Sequence, residues 1–133
     1  MKEPFGEVAG AKITSLSPQF LVADLTVALA YYRDRLGFAT DFVYESFYAS
    51  VSRDGLAIHL KCASANAAER EQRKRNEHLD AFIGVQGIAA LFDEVQAKGA
   101  VILRPLAERP WGCQDFYVED PDGYILCFSE AIA

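Results

Sequence analysis

Cysteine is scarce in this sequence, and its cysteines are not arranged in pairs. Cys62, Cys113 and Cys127 are odd in number, and no C-x-x-C motif occurs. A disulfide framework and a zinc knuckle are therefore excluded as the basis of the fold. Long apolar runs are also absent, so neither a membrane-spanning helix nor the apolar region of a signal peptide is predicted. We expect a soluble, reduced protein of the cytoplasm.

The sequence also lacks an excess of positive charge. Its formal net charge is −6 over 133 residues. Nucleic acids and anionic membranes attract basic surfaces, so neither is expected as a partner. The acidic balance permits a cationic ligand without requiring one. The length predicts a single domain, residues 1–133, with enough buried surface for a substantial core.

What the sequence does contain is a repeated order of elements. The first half, about 13–62, is predicted to form a strand, a helix and three strands: Ile13–Val22, Thr26–Leu36, Phe38–Tyr44, Phe47–Ser52 and Leu56–Cys62. The second half, about 79–130, repeats that order: Leu79–Val85, Ile88–Lys98, Val101–Leu106, Trp111–Val118 and Tyr124–Ser129. A polar linker with a basic run, 63–78, is predicted to be solvated or a short exposed helix. Phosphate or nucleic-acid binding by this linker is the lesser alternative.

Each half alone would leave one face of its sheet unburied. We therefore predict an α+β fold of two tandem βαβββ modules, forming a curved, cleft-like eight-stranded mixed sheet with helices outside. Because strand side chains alternate between faces, half of them should point into the groove. That set is Ser17, Gln19, Leu21, Ala57, His59, Asp80, Phe82, Gly84, Trp111, Cys113, Asp115, Tyr117, Ile125 and Cys127. The single tryptophan is thereby predicted to line a groove rather than the core.

Two motifs, VADLTVALAYYRDRLGF at 22–38 and PWGCQDFYVEDPDGYILCFSE at 110–130, resemble the glyoxalase/bleomycin resistance/extradiol dioxygenase (vicinal oxygen chelate) superfamily. Enzymes of that family bind a divalent metal with one residue from each of four equivalent strands. The resemblance places those positions at Ser17, His59, Asp80 and Cys127. Serine is a poor ligand, and cysteine is unusual beside aspartate for the metals of this family. Neither a metal nor another cofactor is therefore expected, and His59 is interpreted as a histidine satisfied by a hydrogen bond, for example to Asp80.

Within the superfamily the motifs are most similar to those of bleomycin resistance proteins, which lack the metal and sequester the drug. The resemblance implies a homodimer that stacks a planar ring on Phe42, Phe47 and Trp111. Acidic neighbours for a cationic tail are Asp41, Glu45 and Asp115, and His59 and Asp80 complete the predicted site. No catalytic residue is assigned. As an alternative, Phe42 and Phe47 simply close one end of the sheet, since strands favour aromatic residues.

The same residues are also compatible with two enzymatic functions. One is a metal-dependent lyase, isomerase or dioxygenase that uses His59, Asp80 and Cys127. Another is a metal-free enzyme in which His59 and Asp80 form an acid–base pair. The first dozen residues are interpreted either as an arm exchanged between subunits or as a frayed end.

Overall fold

Each half of the chain folds as one βαβββ module in the computed structural model, which describes residues 10–63, 67–76 and 78–132. The first module consists of β1 (Gln19–Val22), α1 (Leu25–Asp34), β2 (Ala39–Tyr44), β3 (Tyr48–Arg53) and β4 (Leu56–Cys62). A linker helix, α2 (Ala67–Arg75), follows. The second module consists of β5 (Ala81–Gly84), α3 (Ile88–Ala97), β6 (Val101–Arg109), β7 (Cys113–Glu119) and β8 (Ile125–Ala131).

The two modules have the same sheet topology. The strand orders are β1-β4-β3-β2 and β5-β8-β7-β6, and in each sheet the pair formed by the first and last strands is parallel. The predicted α+β fold of two tandem βαβββ modules with mixed sheets is therefore confirmed. Its eight strands divide into two four-stranded sheets that are not closed. No described helix is long and apolar enough to cross a membrane.

Two strand boundaries differ from the prediction in ways that affect the site. β1 begins at Gln19 rather than Ile13, so Ser17 precedes the strand. β7 begins at Cys113 rather than Trp111, because the Gly112 N–H donates to the Arg109 carbonyl at 3.1 Å and closes a turn. Trp111 is therefore a turn residue, and the alternation argument for it was wrong. The predicted arm, 1–12, falls mostly outside the described residues.

The core forms on the helix-covered faces of both sheets. Phe20 and Val22 of β1 are buried, whereas Leu21 between them is 45% exposed. One buried cluster includes residues of both modules, among them Tyr32, Leu60, Val95, Phe116, Val118 and Leu126. Phe20 stacks on Tyr124 across the two modules, with ring centres 4.3 Å apart. Because the modules share this core, the opposite face of each sheet is left open.

A bidentate ion pair joins the modules. Arg53, at the end of β3, donates two hydrogen bonds of 2.8 Å to the carboxylate of Glu94 in α3. Its Nη1 also donates to the Leu36 carbonyl at 2.8 Å. The hydrogen bonds from Arg53 are the main reason that the pKa of Glu94 falls to about 2. Glu94 therefore stays ionised at any physiological pH, and the contact between the modules keeps its charge pair.

The linker helix is held against the second module. Arg70 Nε and Lys74 Nζ lie 3.3 and 3.4 Å from the two carboxylate oxygens of Glu119, whose side chain is only 5% exposed. Arg70 Nη1 also donates to the Pro121 carbonyl at 2.9 Å. The prediction of a short helix in the linker is confirmed. Part of its basic run has a structural role, because it balances a buried carboxylate.

Asp120 is a buried carboxyl group at the contact between the modules. The Tyr32 hydroxyl of α1 donates to its Oδ2 at 2.8 Å. The backbone N–H groups of Asp122 and Tyr124 donate to its Oδ1, both at 2.9 Å. Burial is the largest influence on this group and raises the pKa of Asp120 to about 6 despite these hydrogen bonds.

Folding stability should therefore rise as the pH falls from 7 to 5. The folded state holds the Asp120 proton more tightly than the unfolded state, whose pKa is near 3.8. The stabilisation is complete below that value and is lost as the pH rises through about 6. From this group we expect a free energy of unfolding about 1 kcal/mol higher at pH 5 than at pH 7. Chemical denaturation of the wild type and Asp120→Asn at both pH values measures it, and an equal pH dependence in both proteins would contradict the assignment.

Candidate functional site

The open face of the first sheet is organised by the register of its strands. Gln19 of β1, His59 of β4, Ser50 of β3 and Phe42 of β2 pair in one row across the sheet. The next row contains Leu21, Lys61, Tyr48 and Tyr44. Because directly paired residues share a face, these side chains lie on the side opposite Phe20, Ala49 and Leu60 of the core. The predicted groove-facing positions Gln19, Leu21 and His59 are therefore on one surface.

Four rings on this face form a group that we call the aromatic cluster: Phe42, Phe47, Tyr48 and His59. Phe42 and Tyr48 are nearly parallel, with centres 6.4 Å apart and an interplanar angle of 6°. His59 stands edge-on to both, at 6.3 Å and 77° from Phe42 and at 5.6 Å and 82° from Tyr48. Phe47 lies 6.3 Å from Tyr48. Phe42 and Phe47 are 48% and 45% exposed, so the cluster presents aromatic surface to solvent.

Tyr48 was missed by the sequence analysis, although it lies at the centre of the aromatic cluster. Gln19 Nε2 donates to its hydroxyl at 3.0 Å. The same hydroxyl lies 2.9 Å from His59 Nδ1. A signal for it did exist in the sequence, because the apolar residues Ala49 and Val51 alternate with Tyr48, which places Tyr48 on the opposite, open face. The predicted hydrogen bond of His59 is therefore present, but its partner is Tyr48 rather than Asp80.

The predicted acidic residues of the first module border the aromatic cluster. Asp41 lies at an irregularity of the β2–β3 ladder and accepts hydrogen bonds from Ser50 and Ser52 at 2.8 and 2.7 Å. Glu45 is exposed in the turn after β2 and has a positive φ of 53°. Lys61 adds one cation on the same side, with its Nζ 5.6 Å from the centre of the Phe47 ring.

The open face of the second sheet carries a different chemistry. Asp115 is buried and ion-paired with Arg109 at 2.7 Å, so its charge is already balanced. Arg104 lies over the Tyr117 ring at 5.0 Å. Cys127 is buried as well, and burial is the main cause that raises its thiol pKa to about 12. At neutral pH the sulfur is therefore a protonated thiol, which is a poor nucleophile.

Trp111 lies on the second module, in the turn before β7, and is 72% exposed. It makes no ring contact with the aromatic cluster in the part of the chain that the structure describes. Phe82 of β5, on the open face of the second sheet, is 68% exposed. Exposed rings therefore occur on both modules of a single chain.

The four family metal positions do not fit a metal site. Asp80 Oδ2 accepts the Ile125 N–H at 2.8 Å, which uses the carboxylate to hold β5 against β8. His59 is on the first sheet with Nδ1 directed at Tyr48, and Cys127 is a buried thiol of raised pKa. Within the described residues, no group of three His, Cys, Asp or Glu side chains is arranged to hold a metal ion. His59 contacts the Tyr48 hydroxyl and Asp80 accepts from the Ile125 N–H, and an acid–base pair of the two residues stays a prediction.

An open groove of about 1040 Å³ lies elsewhere, between β4, β5 and α3. Its walls are mainly aliphatic, with Ile58, Ile83 and Leu91 among them. Arg53 and Glu94 in its wall neutralise each other. Its other described polar lining residues are Ser17, Asp54, Asp80 and Gln86. The aromatic cluster combines exposed rings with polar groups that can fix the orientation of a ligand, namely Tyr48 and His59. We therefore assign the candidate site to the cluster rather than to the larger groove.

Residues 13–128 match the model of the Glyoxalase/Bleomycin resistance protein/Dioxygenase superfamily, and the chain belongs to this superfamily. It is similar to a glyoxalase-related enzyme from Clostridium phytofermentans, with a TM-score of 0.74 at 20% identity over 94% of this chain and 100% of the other. It is also similar to the bleomycin-binding protein of Streptomyces verticillus complexed with copper(II)-bleomycin, with a TM-score of 0.65 at 22% identity over 92% and 98%. TioX from Micromonospora sp. ML1 gives a TM-score of 0.70 at 17% identity over 90% and 99%. No curated protein matches the sequence significantly.

Proposed function

We propose that this protein binds and sequesters a small planar aromatic compound, with bleomycin-type antibiotics as the named candidate. The observation that carries this proposal is the aromatic cluster, in which Phe42 and Phe47 are about half exposed on an open sheet face. Exposed aromatic rings grouped in this way mark ligand or partner surfaces. Two structurally similar proteins are bleomycin-binding proteins solved in complex with bleomycin, which supports that ligand class.

The two carboxylates beside the aromatic cluster outnumber Lys61, the one cation described near it, and so favour a cationic ligand. Asp41 and Glu45 border the rings, and the whole chain carries a formal net charge of −6. A flat heterocycle would stack on the rings, and a positive tail would lie near the two carboxylates. Asp115, predicted as a third acidic contact, is already paired with Arg109. The cationic part of the ligand is therefore assigned to the first sheet.

The uncovered side of the aromatic cluster leads us to propose a homodimer. One face of the aromatic cluster is open in the single chain, and stacking on one side only leaves a ligand half solvated. The second module offers further exposed rings, Phe82 of β5 and Trp111 in the turn before β7, which are 68% and 72% exposed. Placing these rings of a second copy over the cluster would complete an aromatic slot without any change in the fold. Trp111 then contacts the ligand from the partner chain.

In this proposal no metal takes part and no bond is broken. Ser17, Asp80 and Cys127 do not offer a suitable set of metal donors. The Nδ1 atom of His59 is hydrogen-bonded to the Tyr48 hydroxyl. Such a protein protects by binding the drug at equilibrium. Its concentration must therefore exceed that of the drug, and its dissociation constant must be low. The metal-dependent lyase, isomerase or dioxygenase alternative has no specific observation in its favour.

The single tryptophan provides the test. Chelator-treated protein is titrated with metal-free bleomycin while Trp111 emission is followed, so that a bound metal ion cannot cause the quenching. We expect saturable quenching with one drug per chain, a submicromolar dissociation constant (about −8 kcal/mol or stronger), and dimers by sedimentation. Calorimetry repeats the titration without relying on Trp111. No heat and no quenching would contradict the proposed function, and binding by a monomer would contradict the shared slot.

A further inference from the structure

Three polar side chains on the open face of the first sheet form a hydrogen-bonded chain that the predicted stacking function does not use. Gln19 Nε2 donates to the Tyr48 hydroxyl at 3.0 Å, and the hydroxyl lies 2.9 Å from His59 Nδ1. An amide nitrogen can only donate, so the Tyr48 oxygen is the acceptor in the first bond. The Tyr48 hydroxyl still carries its own proton, and we assign that proton to the second bond, in which the imidazole accepts at Nδ1. This arrangement leaves the imidazole proton on Nε2.

The remaining nitrogen of His59 is held in a defined position. The ring is partly buried and stands edge-on to Phe42 and Tyr48, so its plane is set by contacts on more than one side. Within the described residues no side chain or backbone group pairs with Nε2. A ligand that stacks in the aromatic cluster would cover this N–H. Covering it without supplying an acceptor would leave a donor unsatisfied, which costs binding free energy.

We propose that His59 is the specificity-determining residue of the site, with Gln19 and Tyr48 as positioning residues that keep Nε2–H as a donor. The inference rests on the proposed function and narrows its ligand class. The site takes a planar ring that carries an acceptor atom, such as a thiazole or quinoline nitrogen or a ring carbonyl. It discriminates against a carbocycle of the same shape, because a site built to hydrogen-bond its ligand rejects an analogue that lacks the partner.

The first test needs no ligand. Nitrogen-15 NMR of the full chain at pH 8, where a free imidazole is neutral, reports which ring nitrogen of His59 carries the proton. We expect the Nε2–H form in the wild type and a mixture of both forms in Tyr48→Phe, which keeps the ring but removes the hydroxyl. An Nδ1–H form in the wild type would overturn the proposal, since Nε2 would then be an acceptor rather than a donor.

The second test uses two matched probes, 2-(quinolinyl)ethylamine and 2-(naphthyl)ethylamine, which share their shape and cationic tail and differ by one ring nitrogen. Calorimetry should show the quinoline binding roughly threefold to tenfold more tightly to the wild type, the range of one net hydrogen bond. His59→Phe should bind both probes equally, and Tyr48→Phe should show a reduced preference. Bleomycin binding with no quinoline preference would overturn this inference alone. Loss of binding of bleomycin and both probes would overturn it together with the proposed function.

Discussion

Replacing Gly123 with alanine should lower the free energy of unfolding by about 2–3 kcal/mol. Gly123 has a φ of +87° in the turn between β7 and β8, and alanine in that region is strained by about 1 kcal/mol. A Cβ at this position would also overlap with Cγ, Cδ and Nε of Arg70. Arg70 would then leave Glu119 and the Pro121 carbonyl, so that, among the described residues, the buried carboxylate would keep only Lys74 as a cationic partner. Those lost contacts account for a further 1–2 kcal/mol or so.

Gly55→Ala is the matched control for this prediction. Gly55 occupies the equivalent hairpin turn of the first module with a φ of +81°, and nothing lies within 4 Å of its would-be Cβ. Gly55→Ala should therefore lower the free energy of unfolding only by the backbone strain of about 1 kcal/mol. Urea denaturation of both variants, together with Arg70→Ala and the double variant Arg70→Ala/Gly123→Ala, separates strain from the loss of α2 docking. Equal losses in the two glycine variants would show that α2 does not stabilise the turn.

Phe42→Ala should weaken bleomycin binding by about 30-fold or more, the effect of a central aromatic contact worth roughly 2 kcal/mol. Phe42 contacts both Tyr48 and His59 in the aromatic cluster, so its removal eliminates a stacking surface and loosens the two rings beside it. Because Phe42 is 48% exposed, the loss should appear in binding far more than in folding. Calorimetric titration measures the affinity, and a thermal melt confirms that the variant is folded.

The matched control for Phe42 lies next to it in the same strand. Val43 pairs with the buried Ala49 and so belongs to the opposite face of β2. Val43→Ala should leave the affinity within about twofold of the wild type, as expected for a residue outside the contact. An unchanged affinity in Phe42→Ala would remove the aromatic cluster from the site. If Trp111→Ala were then the only variant with weakened binding, the ligand site would be assigned to the second sheet instead.

Local patterns in the sequence predicted the modules correctly. Phe20 and Val22 alternate with Leu21, the helices begin and end near their capping residues, and both hairpins turn at an Asp-Gly pair. These features depend on neighbours within a few residues, where steric and hydrogen-bonding preferences are strong. The same alternation placed His59 on the open face of β4. It also assigned Phe82 to the open face of the second sheet, where it is 68% exposed.

The sequence predicted less where the surroundings of a residue depend on distant partners. The prediction of a strand at Trp111 is wrong, because the hydrogen bond between Gly112 and Arg109 makes it a turn residue. Nothing in the sequence indicated that the longer β6 brings Arg109 to Asp115 at 2.7 Å. Nor did it show that Asp80 accepts the Ile125 N–H, from a residue far away in the sequence.

The sequence by itself determined the duplicated βαβββ order, the family, the acidic charge and the aromatic composition of the candidate site. Only the tertiary structure decided which rings meet, that Tyr48 links Gln19 to His59, and that each sheet keeps an open face because the modules share one core. The physical reason is that strand register and module packing join residues separated by tens of positions. Their geometry follows from the summed burial of both modules rather than from any local preference.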